Sequence, residues 1–468
     1  MNRYSTIAFL AALLPCVASA QTVPPDPEIR KLLATRVDTQ HWATGIVVDL
    51  ITPQGTHTIA YGTTAKGGTQ NVDADTVYDI GSITKVFTAL VLADMARHGE
   101  VALDDPVTKY LPKDIVLPID GARQITLADL ATHTAGLPLR PDNLAPKDPD
   151  NKYAEYSEAD LFQYLAHAKP ANPIGATYEY SNSGFGLLGV ALAHRAGTDL
   201  DTLIKRRILE PLGMDDTIRT ATPTLRSRMA QGYSYDFGSA DLTPAEHWDY
   251  GNGIAGAGGY RSTAADIAKF LQAILGYRKS PLAPAFAAMT KTRRPGGMTP
   301  ATAIALAWNI LDQDGREIVW KNGSVGGFRA FIGYDAAARI GLIALANAQT
   351  ATGMDDIGLH ILDPKLPVDL NVPHPHTEVA IEPKVLDNYV GTYKYSDTDS
   401  MTVSREGNRL FAQEPGQDRY ELFAEGPRDF FFKLIDAQVT FETGQNGKAI
   451  AAVWHQGGQD QRGIRISP

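Results

Sequence analysis

The sequence predicts an α/β chain: an antiparallel sheet flanked by helices, with a helical insertion, followed by a small all-β, barrel-like domain. Three observations predict it. Strand-like runs at both ends of the segment before residue 363 bracket a helical middle, which suits one domain built from both chain ends. A proline-rich, aperiodic stretch, DPKLPVDLNVPHPHTEVAIEP (Asp363 to Pro383), then breaks the pattern. Beyond it, short β-rich runs alternate with turn signals to the last residue. The chain has 468 residues and 44% hydrophobic content, enough for more than one domain with a buried core.

Residues 1–20 differ from the rest. Arg3 is their only charge, Ile7 to Val17 is nearly all apolar, and Ala18-Ser19-Ala20 has the small-x-small pattern of a cleavage site. This reads as a secretory signal peptide, with a mature chain from Gln21 in the periplasm or outside the cell. An uncleaved anchor and a lipid on Cys16 are the alternatives, and Pro15 is an awkward neighbour for the second. Cys16 is the only cysteine, so the mature chain holds no disulfide, thiol nucleophile or thiolate metal site. Net charge is −10 with no basic block, which argues against a nucleic-acid partner.

Residues 21–362 form the predicted catalytic domain. GIVVDLI (Gly45–Ile51) and HTIAYG (His57–Gly62) flank a Pro-Gln-Gly turn and read as a hairpin. A helix begins at Ser82 with an apolar stripe of Val86, Leu90, Ala93 and Met95, and stops at Gly99. Residues 110–225 read as helices and loops. Residues 263–276 form an amphipathic helix with Asp266 in its first turn. FRAFIGYD (Phe328–Asp335) and RIGLIALAN (Arg339–Asn347) read as a second hairpin. Residues 363–384 form a linker. Residues 385–468 form the antiparallel β-domain, with turns at Gly407-Asn408 and Asn446-Gly447.

Three short motifs carry chemistry. Ser82-Ile83-Thr84-Lys85 is an S-x-x-K tetrad, and residues three apart share a helix face. Ser82 would sit where helix N–H groups favour negative charge, and Lys85 one turn on could take its proton if the amine pKa is depressed. Alone, such a tetrad is most often solvated helix surface. Tyr180-Ser181-Asn182 is the second motif; a tyrosine between two ammonium groups loses its proton more easily and could act as base and acid. Asn182 shares its side of an extended segment and could bond an acyl amide. The plain alternative is a helix capped by Ser181 or Ser183. Lys321-Asn322-Gly323-Ser324 precedes a strand; its glycine permits close backbone approach, and the Ser324 N–H could serve as an oxyanion donor. Lys321 would add charge for a substrate carboxylate. The plain alternative is a glycine turn.

The order, spacing and flanks of the three motifs resemble the serine β-lactamase and penicillin-binding protein superfamily, in particular class C β-lactamases, D-Ala-D-Ala carboxypeptidases and endopeptidases, and family VIII esterases. The flanks are DIGSITKVFTAL, GEVALDDPVTKYLP, ITLADLATHTAGLPLR, YSNSGFGLLG, LEPLGM and KNGSVGGF. The resemblance covers roughly Glu28 to Asp363, and residues 385–468 resemble a lipocalin-like C-terminal domain. It implies a β-lactamase/transpeptidase-like fold and no cofactor or metal. It implies Ser82 as the acylated nucleophile, Lys85 and Tyr180 as the proton-transfer pair, and Asn182, Lys321, Asn322 and Gly323 as substrate contacts. Backbone N–H groups of Ser82 and Ser324 would form the oxyanion hole. The implied substrates are β-lactams or D-Ala-type peptide amides. A peptidoglycan carboxypeptidase/endopeptidase, a carboxylesterase and a non-hydrolytic penicillin or muropeptide receptor stay open. One departure is K-N-G in place of K-T-G; the retained Lys321 favours carboxylate-bearing substrates. His133 reads as a hydrogen-bonded loop residue, His374 and His376 as linker, and Trp308 as core or site lining. No G-x-S-x-G occurs, against an α/β-hydrolase.

Overall fold

The predicted first hairpin forms, with β1 at Gly45–Thr52 and β2 at Gly55–Gly62 joined across Pro53-Gln54. The computed structural model describes residues 23–467 except 171, 298–301, 314, 351, 397–398, 416–418 and 457–458. The signal segment and Cys16 lie outside the described residues. Four later strands complete most of the sheet: β3 (Asn309–Gln313), β4 (Arg316–Val325), β5 (Phe328–Asp335) and β6 (Ile340–Ala346). Among the described residues the order is β2-β1-β6-β5-β4-β3, with Thr302–Ile304 and Arg294–Pro295 at the far edge. Every pairing is antiparallel, so strands from both ends of this segment share one sheet.

Both faces of that sheet are covered, which explains its near-continuous apolar strands. Val47, Ile51, Ala330, Ile332, Ile343 and Leu345 face the helical middle. Ile46, Val48, Leu50, Phe331, Leu342 and Ala344 face Ile29, Leu33, Ile357 and Ile361 of two terminal helices. Alternate residues therefore enter different cores, as the two-residue period of a strand requires.

The helices that bear on the sheet and the serine turn are α1 (Thr84–Arg97), α2 (Asn182–Ala196), α3 (Ala264–Ile274) and α4 (Asp355–Leu362). The sequence predicts one apolar stripe on α1. Instead, every residue from Thr84 to Met95 is buried. The helix runs through the middle of the domain, between the sheet and the insertion, so its polar residues are buried with its apolar ones.

Residues 391–467 close into an eight-stranded barrel, because Gly391–Lys394 pairs with both Ser400–Glu406 and Gln459–Ser467. Tyr393, Met401, Leu410, Leu422, Phe430 and Phe441 fill its interior, so it is a packed core rather than an open cup. The connecting stretch is extended but pinned. Gln40 Nε2 donates to the Asp369 and Asn371 carbonyls, and Val379 N–H donates to the Ala424 carbonyl of the barrel. The Phe237 N–H bonds the Lys433 carbonyl, and the His376 ring stacks on Phe431 at 4.4 Å. These contacts join barrel to sheet domain. Among the described residues no helix is long and apolar enough to cross a membrane.

Asn347 ties three segments together after β6. Its Oδ1 accepts from the Thr44 and Gly45 N–H groups, and its Nδ2 donates to Thr44 Oγ1 and the Gln231 carbonyl. Asn347→Ala strands these buried groups and should cost about 2–4 kcal/mol. A urea titration should show a lower midpoint with an unchanged slope.

Candidate active site

Ser82 lies in a single tight turn, Gly81–Ile83, that leads directly into α1. Gly81 has φ +50, a conformation that favours glycine, and a Cβ there would stand 2.9 Å from Ser324 N. A Cβ on Gly323 would stand 2.1 Å from the Ile80 carbonyl and 3.3 Å from Ser82 N. The two glycines let the turn and β4 pack backbone to backbone. That contact sets the backbone nitrogens of Ser82 and Ser324 near one another. Pairing of β3 with β4 ends at Asn309 and Trp320, so Lys321–Val325 present an unpaired edge on that side.

Lys85 is completely buried. Its Nζ lies 3.0 Å from Ser82 Oγ, 2.8 Å from Asn182 Oδ1 and 2.8 Å from the Ala257 carbonyl. None of these partners carries a negative charge. Burial holds the amine well below the ordinary lysine range, and Lys321 adds to the shift by repulsion. A neutral amine fits the geometry: two N–H groups for two carbonyl oxygens, and a lone pair facing the serine hydroxyl.

Tyr180 Oη donates to Ser82 Oγ at 2.6 Å. Its ring lies 4.9 Å from Lys85 Nζ and 4.6 Å from Lys321 Nζ. The sequence expectation that these lysines ease its ionisation does not hold. Burial raises the phenol pKa and outweighs the opposing bond to Ser82, so Tyr180 stays protonated. Burial likewise brings Lys321 down to about 8, against the attraction of Asp355.

The cap and the site residues of Tyr180-Ser181-Asn182 coexist. Ser181 is the N-cap of α2, accepting from the Gly184 N–H, while Asn182 is its first residue. The cap projects Tyr180 and Asn182 toward Ser82 and Lys85. Asn322 Nδ2 donates to Asp355 Oδ2 at 2.6 Å, a protein carboxylate. Trp308 is core, packed edge-on to Tyr334. His376 bonds Glu425, and no cluster of three or more metal-ligating side chains occurs among the described residues.

Three contributors escape a reading by motif. The Ala257 carbonyl comes from the glycine-rich GNGIAGAGG, whose glycines allow backbone contact with α1 and α2; that composition is the signal. Asp355 has no local signal. His133 is hydrogen-bonded, as its sequence reading expects, and its bonds bracket Tyr180. Its carbonyl accepts the Glu179 N–H and its Nδ1 accepts the Ser181 N–H, on either side of Tyr180. Its ring lies 4.4 Å from the Tyr180 ring. As an acceptor at Nδ1 it is neutral, and burial depresses its pKa. His133→Phe keeps a ring but loses the acceptor, and should lower kcat by ~10-fold or more with KM less affected. His133→Asn, which restores an acceptor and tolerates the φ of +57, should recover part of that loss.

Residues 29–362 match the family described as Beta-lactamase, and residues 375–465 match a domain of unknown function (DUF3471). The chain is 29% identical over 359 residues to unguisins hydrolase ungD' of Aspergillus campestris, covering 74% of this chain and 66% of that relative. It is 29% identical over 360 residues to the D-alanyl-D-alanine-carboxypeptidase/endopeptidase AmpH of Escherichia coli K12, covering 73% of this chain and 90% of that relative. The octameric penicillin-binding protein homologue from Pyrococcus abyssi superposes with a TM-score of 0.62 at 23% identity. That superposition covers 94% of this chain and 98% of the other, so the two share a fold across both domains. The family match encloses the serine turn, the capped tyrosine and the free edge of β4 alike, and the chain belongs to the Beta-lactamase family.

Proposed function

We propose that this hydrolase is a serine acyl hydrolase working through an acyl-enzyme on Ser82, acting on β-lactams or D-Ala-type peptide amides. One observation carries the reading: Ser82 Oγ is held at once by Tyr180 Oη at 2.6 Å and by the buried Lys85 Nζ at 3.0 Å. A neutral Lys85 accepts the serine proton as Oγ attacks the carbonyl carbon. The Ser82 and Ser324 N–H groups stabilise the oxyanion, and Asn182 holds the acyl amide. Tyr180, protonated and already aimed at Oγ, is the donor to the leaving nitrogen. It regains its proton from Lys85 across the contact they share with Ser82. Water then attacks the ester and the steps run in reverse. Of the proton-transfer pair, Lys85 is therefore the base and Tyr180 the acid.

The signal-like residues 1–20 and the kinship with a D-Ala-D-Ala carboxypeptidase/endopeptidase support work in the cell envelope. A second reading, cleavage of uncharged esters or amides, is favoured by the Asn322–Asp355 bond, which engages a group expected to meet a substrate carboxylate.

Intact-mass analysis with excess benzylpenicillin tests the first reading. The native protein should gain a penicilloyl adduct and hydrolyse free drug, and Ser82→Ala should do neither. An adduct on Ser82→Ala, or none on the native protein while esters are cleaved, rejects β-lactam acylation at Ser82. Lys321 gives a pH signature. Its charge is present below about 8 and lost as pH rises through that value. KM for carboxylate-bearing substrates should therefore rise across that window, while KM for a neutral ester should not.

A further inference from the structure

The far side of β4 holds a charge arrangement that the three motifs do not announce. Asp355 is the first residue of α4, where the helix N-terminus favours a negative charge. The helix is seated firmly: Ile357 and Ile361 are buried, and a Cβ on Gly358 would stand 2.3 Å from the Phe331 ring. The Asp355 carboxylate is thus held in place, with Oδ2 accepting from Asn322 Nδ2 at 2.6 Å. Lys321 and Arg329 both attract it. Arg329 faces Ser324 across the β4–β5 pair and lies along Gly353, 3.1 Å from where a Cβ would stand. The neighbouring Asp356 is committed elsewhere, to Arg36 at 2.6 Å and the Asp369 N–H. Asp355 is therefore one fixed anion drawn by two cations, Lys321 of β4 and Arg329 of β5.

We propose that Asp355 is a specificity-determining residue, an internal carboxylate that occupies Asn322 and competes with a substrate carboxylate for Lys321 and Arg329. The cleft then discriminates against substrates with a free carboxylate on the leaving side and favours uncharged ones. The physical cause is like-charge repulsion in a partly desolvated site, together with a donor already in use. Burial raises the Asp355 carboxyl to about 6, which still leaves it ionised at neutral pH. The proposal rests on the acyl-hydrolase reading and, within it, favours the second, uncharged substrate class over β-lactams and peptides with a free terminal carboxylate.

The test is a ratio. An N-acylated D-Ala-D-Ala peptide and its C-terminal amide differ chiefly in the terminal charge, as do 3-carboxyphenyl acetate and 3-carbamoylphenyl acetate. The quantity measured is kcat/KM for the charged member over that for the neutral member, at pH 7.5. Asp355→Asn keeps the shape and removes the charge, and should raise the ratio ~10-fold or more in whichever pair is cleaved. Asp355→Ser removes the charge with a smaller side chain and gives the same readout if the first variant folds poorly. A ratio that stays within ~2-fold of the native value in both variants overturns the role of Asp355 while leaving the hydrolase reading intact. Absence of any Ser82-dependent turnover on all four compounds overturns the hydrolase reading, and this inference with it.

Discussion

The burial of one amine governs this structure. Lys85 is fully enclosed and none of its three hydrogen-bond partners carries a charge. An isolated ammonium in such surroundings is costly, so the neutral form is favoured. Keeping a neutral amine there demands two acceptors in fixed positions and a hydroxyl in a third. Asn182, Ala257 and Ser82 supply them from three separate segments. The buried run Thr84–Met95 of α1, the glycine-rich segment ending near Gly259 and the capped start of α2 all converge on that requirement. A carboxylate among the partners would instead favour the charged form of the amine.

The second constraint is steric. Gly81 and Gly323 let two backbones meet where any side chain would collide. The meeting point lies just past Trp320, where the described pairing of β3 with β4 ends. Tyr180 is fixed with comparable economy: one histidine bonds the backbone on both sides of it and packs against its ring. The site thus gains rigidity from loops held by side chains as well as from strands and helices. The barrel stands apart from this chemistry. Its interior is filled, and its described contacts with the sheet domain run through Phe237, Lys433, His376 and Phe431.

Several features were legible in the sequence. The β-rich runs announced both hairpins, and the proline-rich stretch announced a connection that is extended. The structure brings Ser82, Lys85, Tyr180 and Asn182 together, with Gly323 packed against the serine turn. Other features were hidden, each for a physical reason. The stripe on α1 misled because a helix with neighbours on all sides needs no polar face. Ionisation of Tyr180 was misjudged because the sequence shows nearby charges but not burial, and burial wins here. The partner of Asn322 was invisible because Asp355 lies 33 residues away and meets it only through sheet and helix packing.

By itself the sequence determined the local chemistry: which residues can act as nucleophile, base, acid and amide contact, where glycine permits close approach, and where strands, helices and connection lie. Those properties depend on residue type and on neighbours within a few positions. The tertiary structure alone decided which groups are charged and whom they face. It buried Lys85 beside Ser82, kept Tyr180 protonated, and set Asp355 against Asn322. Protonation and charge pairing depend on desolvation and on distances between groups far apart in the chain, and only the folded packing fixes those.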